Sequence, residues 1–309
     1  MTGEKKPVRV EEASTSLKTP IRNSIPVDIP EQKYNPMGKE HSTDGPQHNN
    51  NNENPRKRQL VEITDGSENA SEYDGPNKKY WFINKAEAYL ANYDYLNAKI
   101  HALKALARDG ALFEGWFDSA QASAGLAKIA DDETAALYHV DEALDELEQC
   151  KSLKPQELQV YAMQGDLFKL QKEYKKAIQA YSDALNIDSQ NANILLSRCN
   201  LYLELHEFKA ASNDAEAVLK IHADDFNAQF LKGEALANLK KHEDSVLCFE
   251  ACYALKPEDL SVQEKLVDQY TKIREFDKAI ELCNKACDKY PSSNSFRAKK
   301  AIIFLEQEK

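Results

Sequence analysis

One period dominates this chain. Residues 174–191 read YKKAIQAYSDALNIDSQN, residues 208–225 FKAASNDAEAVLKIHADD and residues 276–293 FDKAIELCNKACDKYPSS, with a blurred copy, HEDSVLCFEACYALKPED, at 242–259. Gly165, Cys199, Gly233 and Val267 stand 34 residues apart, as do Ala177, Ala211, Ser245 and Ala279, and Tyr174, Phe208, His242 and Phe276. Two further series, Ala184, Val218, Cys252, Ala286 and Ser189, Ala223, Pro257, Pro291, keep the same step. Such a chain is a row of like units, each burying its apolar face by stacking on its neighbours.

Within a unit the apolar residues follow a helical rhythm. Tyr161, Gly165 and Phe168, then Tyr174, Ala177, Ile178, Tyr181, Ala184 and Leu185, recur at steps of three and four, which places them on one stripe of a helix. LQKE and NIDSQN interrupt the stripe, so each unit is two helices with short turns. Small residues at Gly165 and Ala177 let the paired helices approach, and aromatics fill the gap beside them. Pro257 and Pro291 suit the first turn of the next helix.

A 34-residue helix–turn–helix unit with an aromatic at position 4, small residues at 8, 20 and 27, aromatics at 11 and 24 and proline at 32 resembles the tetratricopeptide repeat. Four units match in phase, 158–191, 192–225, 226–259 and 260–293, with departures at Cys199, Val267, Ala215 and Cys283. A fifth fits upstream at 79–112, through Ala86, Tyr89, Tyr95, Ala98 and Ala105. In the unit from 113 to 157 the small position, Ala120, is followed by Gly165 only 45 residues later, so eleven residues are extra. There Asp131 or Asp132 is placed to cap a helix through Leu137, Val140, Leu144 and Leu147, and locally altered geometry is expected. Residues 294–309 read as a single polar-faced capping helix. The resemblance thus implies an all-α, right-handed helical solenoid of about six repeats over residues 79–309.

Residues 1–76 differ in kind. They hold eight of the eleven prolines, two of the 27 aromatics (Tyr34 and Tyr73) and the run HNNNNEN, with ten basic against thirteen acidic residues. A segment so poor in apolar surface is expected to stay disordered. The remaining residues carry 30 basic and 38 acidic side chains, which argues against nucleic acid and anionic membrane as partners. Neither a signal-peptide core nor an apolar run of membrane-spanning length is visible, so the chain is expected in the cytoplasm with reduced thiols. Arg56, Lys57 and Arg58 resemble a nuclear-import cluster, although an ordinary basic patch is the simpler reading.

Catalytic patterns are missing. Cys248 and Cys252, and Cys283 and Cys287, are i,i+4 pairs, but neither has the CxxC or HxxxH spacing of a zinc site, and Cys199 and Cys252 occupy small packing positions of the repeat. The seven histidines recur with no partner at fixed spacing, and five of the ten glycines lie in the tail, leaving little for phosphate-cradling loops. A non-catalytic chain without metal or cofactor is expected.

The resemblance implies that positions 5 and 9 of the first helices line a concave groove. Position 5 reads Ile83, Phe117, Ala162, Leu196, Phe230 and Glu264; position 9 reads Glu87, Gln121, Asp166, Asn200, Glu234 and Asp268. An apolar row beside an acidic-to-amide row suits a basic or mixed basic–apolar protein segment, while the plainer reading is a solvated face. Relatives that hold the Glu-Glu-Val-Asp tails of chaperones use lysine, asparagine and arginine at set positions. The triplet from 158 offers Ala162, Asp166, Ser197, Asn227 and Leu231 instead, so such tails are not expected ligands. The expected role is a protein-interaction scaffold or adaptor. The alternatives are a chaperone-like client binder without that clamp and a regulatory subunit of an enzyme complex.

Overall fold

A computed structural model describes residues 77–291 and 294–308; the expected disordered tail and the basic cluster at 56–58 lie outside the described residues. The described residues form thirteen helices. The first hairpin pairs α1 (Lys78–Ala91) with α2 (Tyr95–Leu106), and the second α3 (Phe113–Ile129) with α4 (Glu133–Leu153). Then follow α5 (Leu158–Leu170) and α6 (Tyr174–Ile187), and α7 (Ala192–Glu204) and α8 (Phe208–Ile221). The last pairs are α9 (Phe226–Asn238) with α10 (His242–Leu255) and α11 (Leu260–Lys272) with α12 (Phe276–Lys289). A single helix, α13 (Asn294–Gln307), packs on α12 and α11. Each helix packs on the next, which is the pairwise array the period requires.

The turns repeat as faithfully as the sequence. Tyr93, Lys172, His206, Lys240 and Arg274 each take φ between 60° and 65° in the three-residue link inside a hairpin. That left-handed step folds the chain back so that the next amide reaches a carbonyl five residues earlier: Glu173 N–H donates to Phe168 O at 2.9 Å, Glu207 to Tyr202 at 2.8 Å and Lys241 to Leu236 at 2.9 Å. The carbonyls of the helix end are thereby satisfied. Between hairpins, the side chain at position 4 of the incoming helix bonds the carbonyl six residues before it. Trp116 Nε1 donates to Gly110 O, Tyr161 OH to Pro155 O and Gln263 Nε2 to Pro257 O. Pro257 and Pro291 therefore sit in the link before the next helix, and not in its first turn as the sequence suggested.

The close approach inside each hairpin rests on one pair of positions. A Cβ added to Gly165 would lie 2.4 Å from the Tyr181 ring, and one on Gly233 would lie 2.9 Å from Phe249. In the four units without glycine at this position no ring is seen to oppose it: Cys199 goes with Ala215, Val267 with Cys283 and Ala86 with Ala102, all buried, and the lengthened unit carries the buried Ala120. A side chain at position 8 goes with a small residue at position 24 and a ring at position 24 goes with glycine at 8, so the departures seen in sequence are matched substitutions at close packing.

In the unit 113–157 the extra residues are taken up as helix. α3 has 17 residues where α5 has 13, and α4 has 21 where α6 has 14. Additions of four and seven residues are about one and two helical turns, so the buried stripes stay in phase. Asp132 caps α4 by accepting from Ala135 N–H at 2.7 Å. A polar core fixes this hairpin on the first: Lys99 of α2 donates to Ser123 Oγ at 2.7 Å and pairs with Glu142 and Glu146 of α4. Glu146 also accepts from Ser119 Oγ at 2.5 Å. The outer face of α13 exposes Ile302, Phe304 and Leu305, in contrast to the polar face expected of a cap.

The position 8/24 pairing predicts a coupled effect. Gly165→Val should overpack Tyr181 and cost about 1–3 kcal/mol, and Tyr181→Cys should cost about 3–5 kcal/mol through the cavity it leaves. The double variant, which imports the Val267–Cys283 combination, should be less destabilised than the sum of the two by more than about 1 kcal/mol. Denaturant unfolding of all four proteins decides it, and strict additivity would refute the shared-volume account.

Candidate functional site

The first helices of consecutive units touch directly, α1 on α3, α7 on α9 and α11 on α13, so positions that follow one another by a repeat share a face. Three of the groove residues meet there. Leu196 and Asn200 of α7 and Phe230 of α9 line an open cavity of about 370 Å³ with Phe226, Asn227 and Asp259. Its floor is aromatic: Phe230 stacks on Phe226 at 6.3 Å between ring centres and stands edge-on to Phe249 at 5.6 Å. Its rim is polar, with the exposed Asn200 donating to Leu196 O at 2.9 Å. Phe117 is half-buried and stacks on Phe113 at 5.6 Å.

One expectation about position 5 needs correction. Ile83 is only 4 % exposed and belongs to the core with Phe82, Leu106 and Leu112. Phe230 packs within its own hairpin through Phe249, so apolar residues at this position do take part in helix pairing.

The acidic row at position 9 is also less uniform than its letters. Glu234 forms an ion pair with Lys265 at 2.6 Å, and Asp268 one with Lys299 at 2.5 Å. Asp166 accepts the Tyr181 hydroxyl at 2.6 Å. Gln121 is half-buried on α3. Glu87 has no such partner among the described residues; its charge acts on Asp118 of α3, a residue only 6 % exposed whose Oδ2 accepts no hydrogen bond. Burial first, then the charges of Glu87 and Glu114, push Asp118 up to about 8. Sequence reasoning missed Asp118 and the lysines at position 6; the available signal was the 31-residue spacing of Glu87 to Asp118, Glu234 to Lys265 and Asp268 to Lys299.

A second, larger cleft of about 590 Å³ opens between α8, α9 and α10. Its lining mixes Lys209, Lys232 and Lys241 with Glu216 and Asp244, and Lys232 already pairs with Glu216 at 3.3 Å. Its lining is charged and lacks an aromatic floor, so size alone does not make it the better site. Burial pushes the thiols of Cys150, Cys199 and Cys252 up to about 12 and that of Cys283 to about 11, which leaves them protonated and poor nucleophiles. Among the described residues no group of three or more His, Cys, Asp or Glu side chains could hold a metal ion. No helix among them is long and apolar enough to cross a membrane.

Hairpins of two helices, stacked in register with a face shared by their first helices, define an α-helical repeat protein. The particular class follows from the 34-residue period and from similarity: the chain is a tetratricopeptide-repeat protein. A family described as "TPR repeat" matches residues 165–206, and one described as "Psidin, N-terminal TPR repeats region" matches residues 201–301. The chain is 34 % identical over 98 residues to outer dynein arm-docking complex subunit 4 of Xenopus laevis, covering 32 % of this chain and 18 % of that one. It is 31 % identical over 86 residues to a UDP-N-acetylglucosamine–peptide N-acetylglucosaminyltransferase of Giardia intestinalis, covering 28 % and 6 %. The match thus spans less than a fifth of either relative. Among solved structures, YrrB, titled a TPR protein with an unusual peptide-binding site, superimposes with a TM-score of 0.54 at 18 % identity, over 65 % of this chain and 97 % of that one.

Asp118 makes stability depend on pH. Its folded value near 8 stands far above an unfolded carboxyl near 3.9, so the folded protein holds a proton that the unfolded chain has released. The contribution is complete below about pH 4 and is lost as pH rises through 8, at about 1.4 kcal/mol per pH unit inside that window. Asp118→Asn should therefore flatten the fall in thermal midpoint between pH 5 and 8. Parallel curves for variant and wild type would place the proton elsewhere.

Proposed function

We propose that the array binds an extended or helical protein segment along the face shared by its first helices, with the α7–α9 cavity as the anchoring point. The observation that carries this is the cavity itself: an aromatic floor at Phe226 and Phe230, Leu196 beside it, and a rim of side-chain amides at Asn200 and Asn227. Apolar floor with few polar groups at the edge is how side chains are captured and oriented. The chain then acts as a non-catalytic scaffold or adaptor. Relatives named as a docking-complex subunit and as a transferase share this repeat over small parts of their length, so the module serves proteins of different kinds. Expected partners are basic or mixed basic–apolar segments; nucleic acid, membrane and Glu-Glu-Val-Asp tails are not. A cytoplasmic setting fits this role.

Peptides selected from a displayed random library on the immobilised full chain provide the test. Phe230→Ala should raise the dissociation rate about tenfold or more by removing a central anchor. Because Phe230 also packs on Phe249, a second variant is needed: Asn200→Arg fills the cavity mouth from an exposed position and should leave the thermal midpoint unchanged. Selected peptides that bind both variants as well as wild type would remove the cavity from the binding site.

A further inference from the structure

Where first helices of successive units meet, position 9 of one unit faces position 6 of the next, 31 residues on in a standard repeat. Two of these junctions are ion pairs, Glu234–Lys265 and Asp268–Lys299. The α1–α3 junction repeats the acid, Glu87, but puts Asp118 where the lysine stands elsewhere. The register thus brings two carboxyls to this junction where elsewhere it supplies one carboxyl and one ammonium group. The only neighbouring acid on the same helix, Glu114, is held by Lys154 at 2.9 Å, and no basic side chain among the described residues bonds Glu87 or Asp118. Asp118 is 6 % exposed and its Oδ2 accepts nothing. A buried acceptor left without a donor is costly, and it gains most from a donor carrying positive charge.

We propose that the α1–α3 junction receives a lysine or arginine side chain of the bound segment, whose N–H groups fill the place between Glu87 and Asp118 that Lys265 and Lys299 fill in the later units. This inference rests on the first-helix face being the binding face, and names the chemistry of one position along it. On entry of the cation Asp118 gives its proton to solvent, and its carboxylate accepts from the ammonium or guanidinium group; no other bond changes. The groups acting on Asp118 are Glu87 from α1, Glu114 on its own helix and the protonated Cys150 thiol of α4. The neutral thiol leaves the two carboxylates as the charges that favour a cation. The set does not suit a metal, since no cluster of three such ligands forms there.

Two measurements on the full chain separate this site from the groove reading. In the first, the Asp118 side-chain carboxyl carbon is titrated by NMR with n-butylammonium or ethylguanidinium as probes, against sodium at equal ionic strength. Either probe should lower its midpoint from about 8 by a unit or more relative to sodium; equal midpoints overturn the proposal. In the second, an array of library-selected peptides carries Lys, Arg, Gln or Glu at each position in turn. Wild type should favour Lys or Arg at one position about tenfold, the scale of one charged hydrogen bond. Asp118→Asn and Asp118→Lys should both abolish that preference and leave binding of the Gln peptides unchanged. Asp118→Asn preserves the neutral form already present, so it keeps the test valid should the lysine variant fold poorly. A preference that survives Asp118→Asn, or no preference in wild type, overturns the proposal. Loss of all peptides in Asn200→Arg alone bears on the cavity and leaves this site standing.

Discussion

Everything in this array depends on how closely the two helices of a hairpin approach. Position 8 has no room for both a side chain and a full ring at position 24: glycine faces Tyr181 or Phe249, and where the ring is gone the glycine is gone as well. Close packing at this one crossing sets the distance between helix axes, and so the register in which every other pair of the unit meets. The α13 helix shows the same position unpaired: Ala301 is exposed where its six counterparts are buried.

The links between helices are held by backbone chemistry more than by residue identity. Five hairpin turns use a left-handed residue, and none of the five is glycine; lysine, histidine, arginine and tyrosine all accept the strain because the carbonyl bonds it completes are worth having. The lengthened unit shows the converse. Its turn runs through Ala130 in an extended conformation, and the closing role passes to the Asp132 cap and to the buried Lys99–Glu146 network. A buried ion pair is a poor source of stability, but with Ser119 and Ser123 bonding the same carboxylate it admits only one docking of α4 on its neighbours.

The period made the fold legible: helix pairing is readable from spacing, and the cap of α4 was narrowed to Asp131 or Asp132, of which the structure uses Asp132. Less legible was why particular letters deviate. An aromatic at position 4 looked like a packing requirement, yet Trp116, Tyr161, Gln229, Gln263 and Arg297 share a donor that reaches back six residues, and packing alone would not admit the last three. The face shared by the first helices was legible only in part. Leu196, Asn200 and Phe230 gather at one cavity, but Ile83 lies in the core, because the longer link of the first unit folds Leu112 over it. Charge was the least readable quantity, since a row of acids states nothing about the lysines that neutralise it from the next unit.

That last point changes what the acidic character of the face means. If the whole row were unpaired, its field would attract any basic segment with little preference for where along the array it settles. With Glu234 and Asp268 neutralised internally and Asp166 engaged by Tyr181, Glu87 is the acid of the row left without a partner among the described residues, three units away from the aromatic cavity. A long-range field steers encounter, whereas a single buried acceptor and a single apolar cavity fix orientation. In the proposed binding mode two unlike anchors three units apart would read both the chemistry and the direction of a segment, which no uniform stripe of charge does.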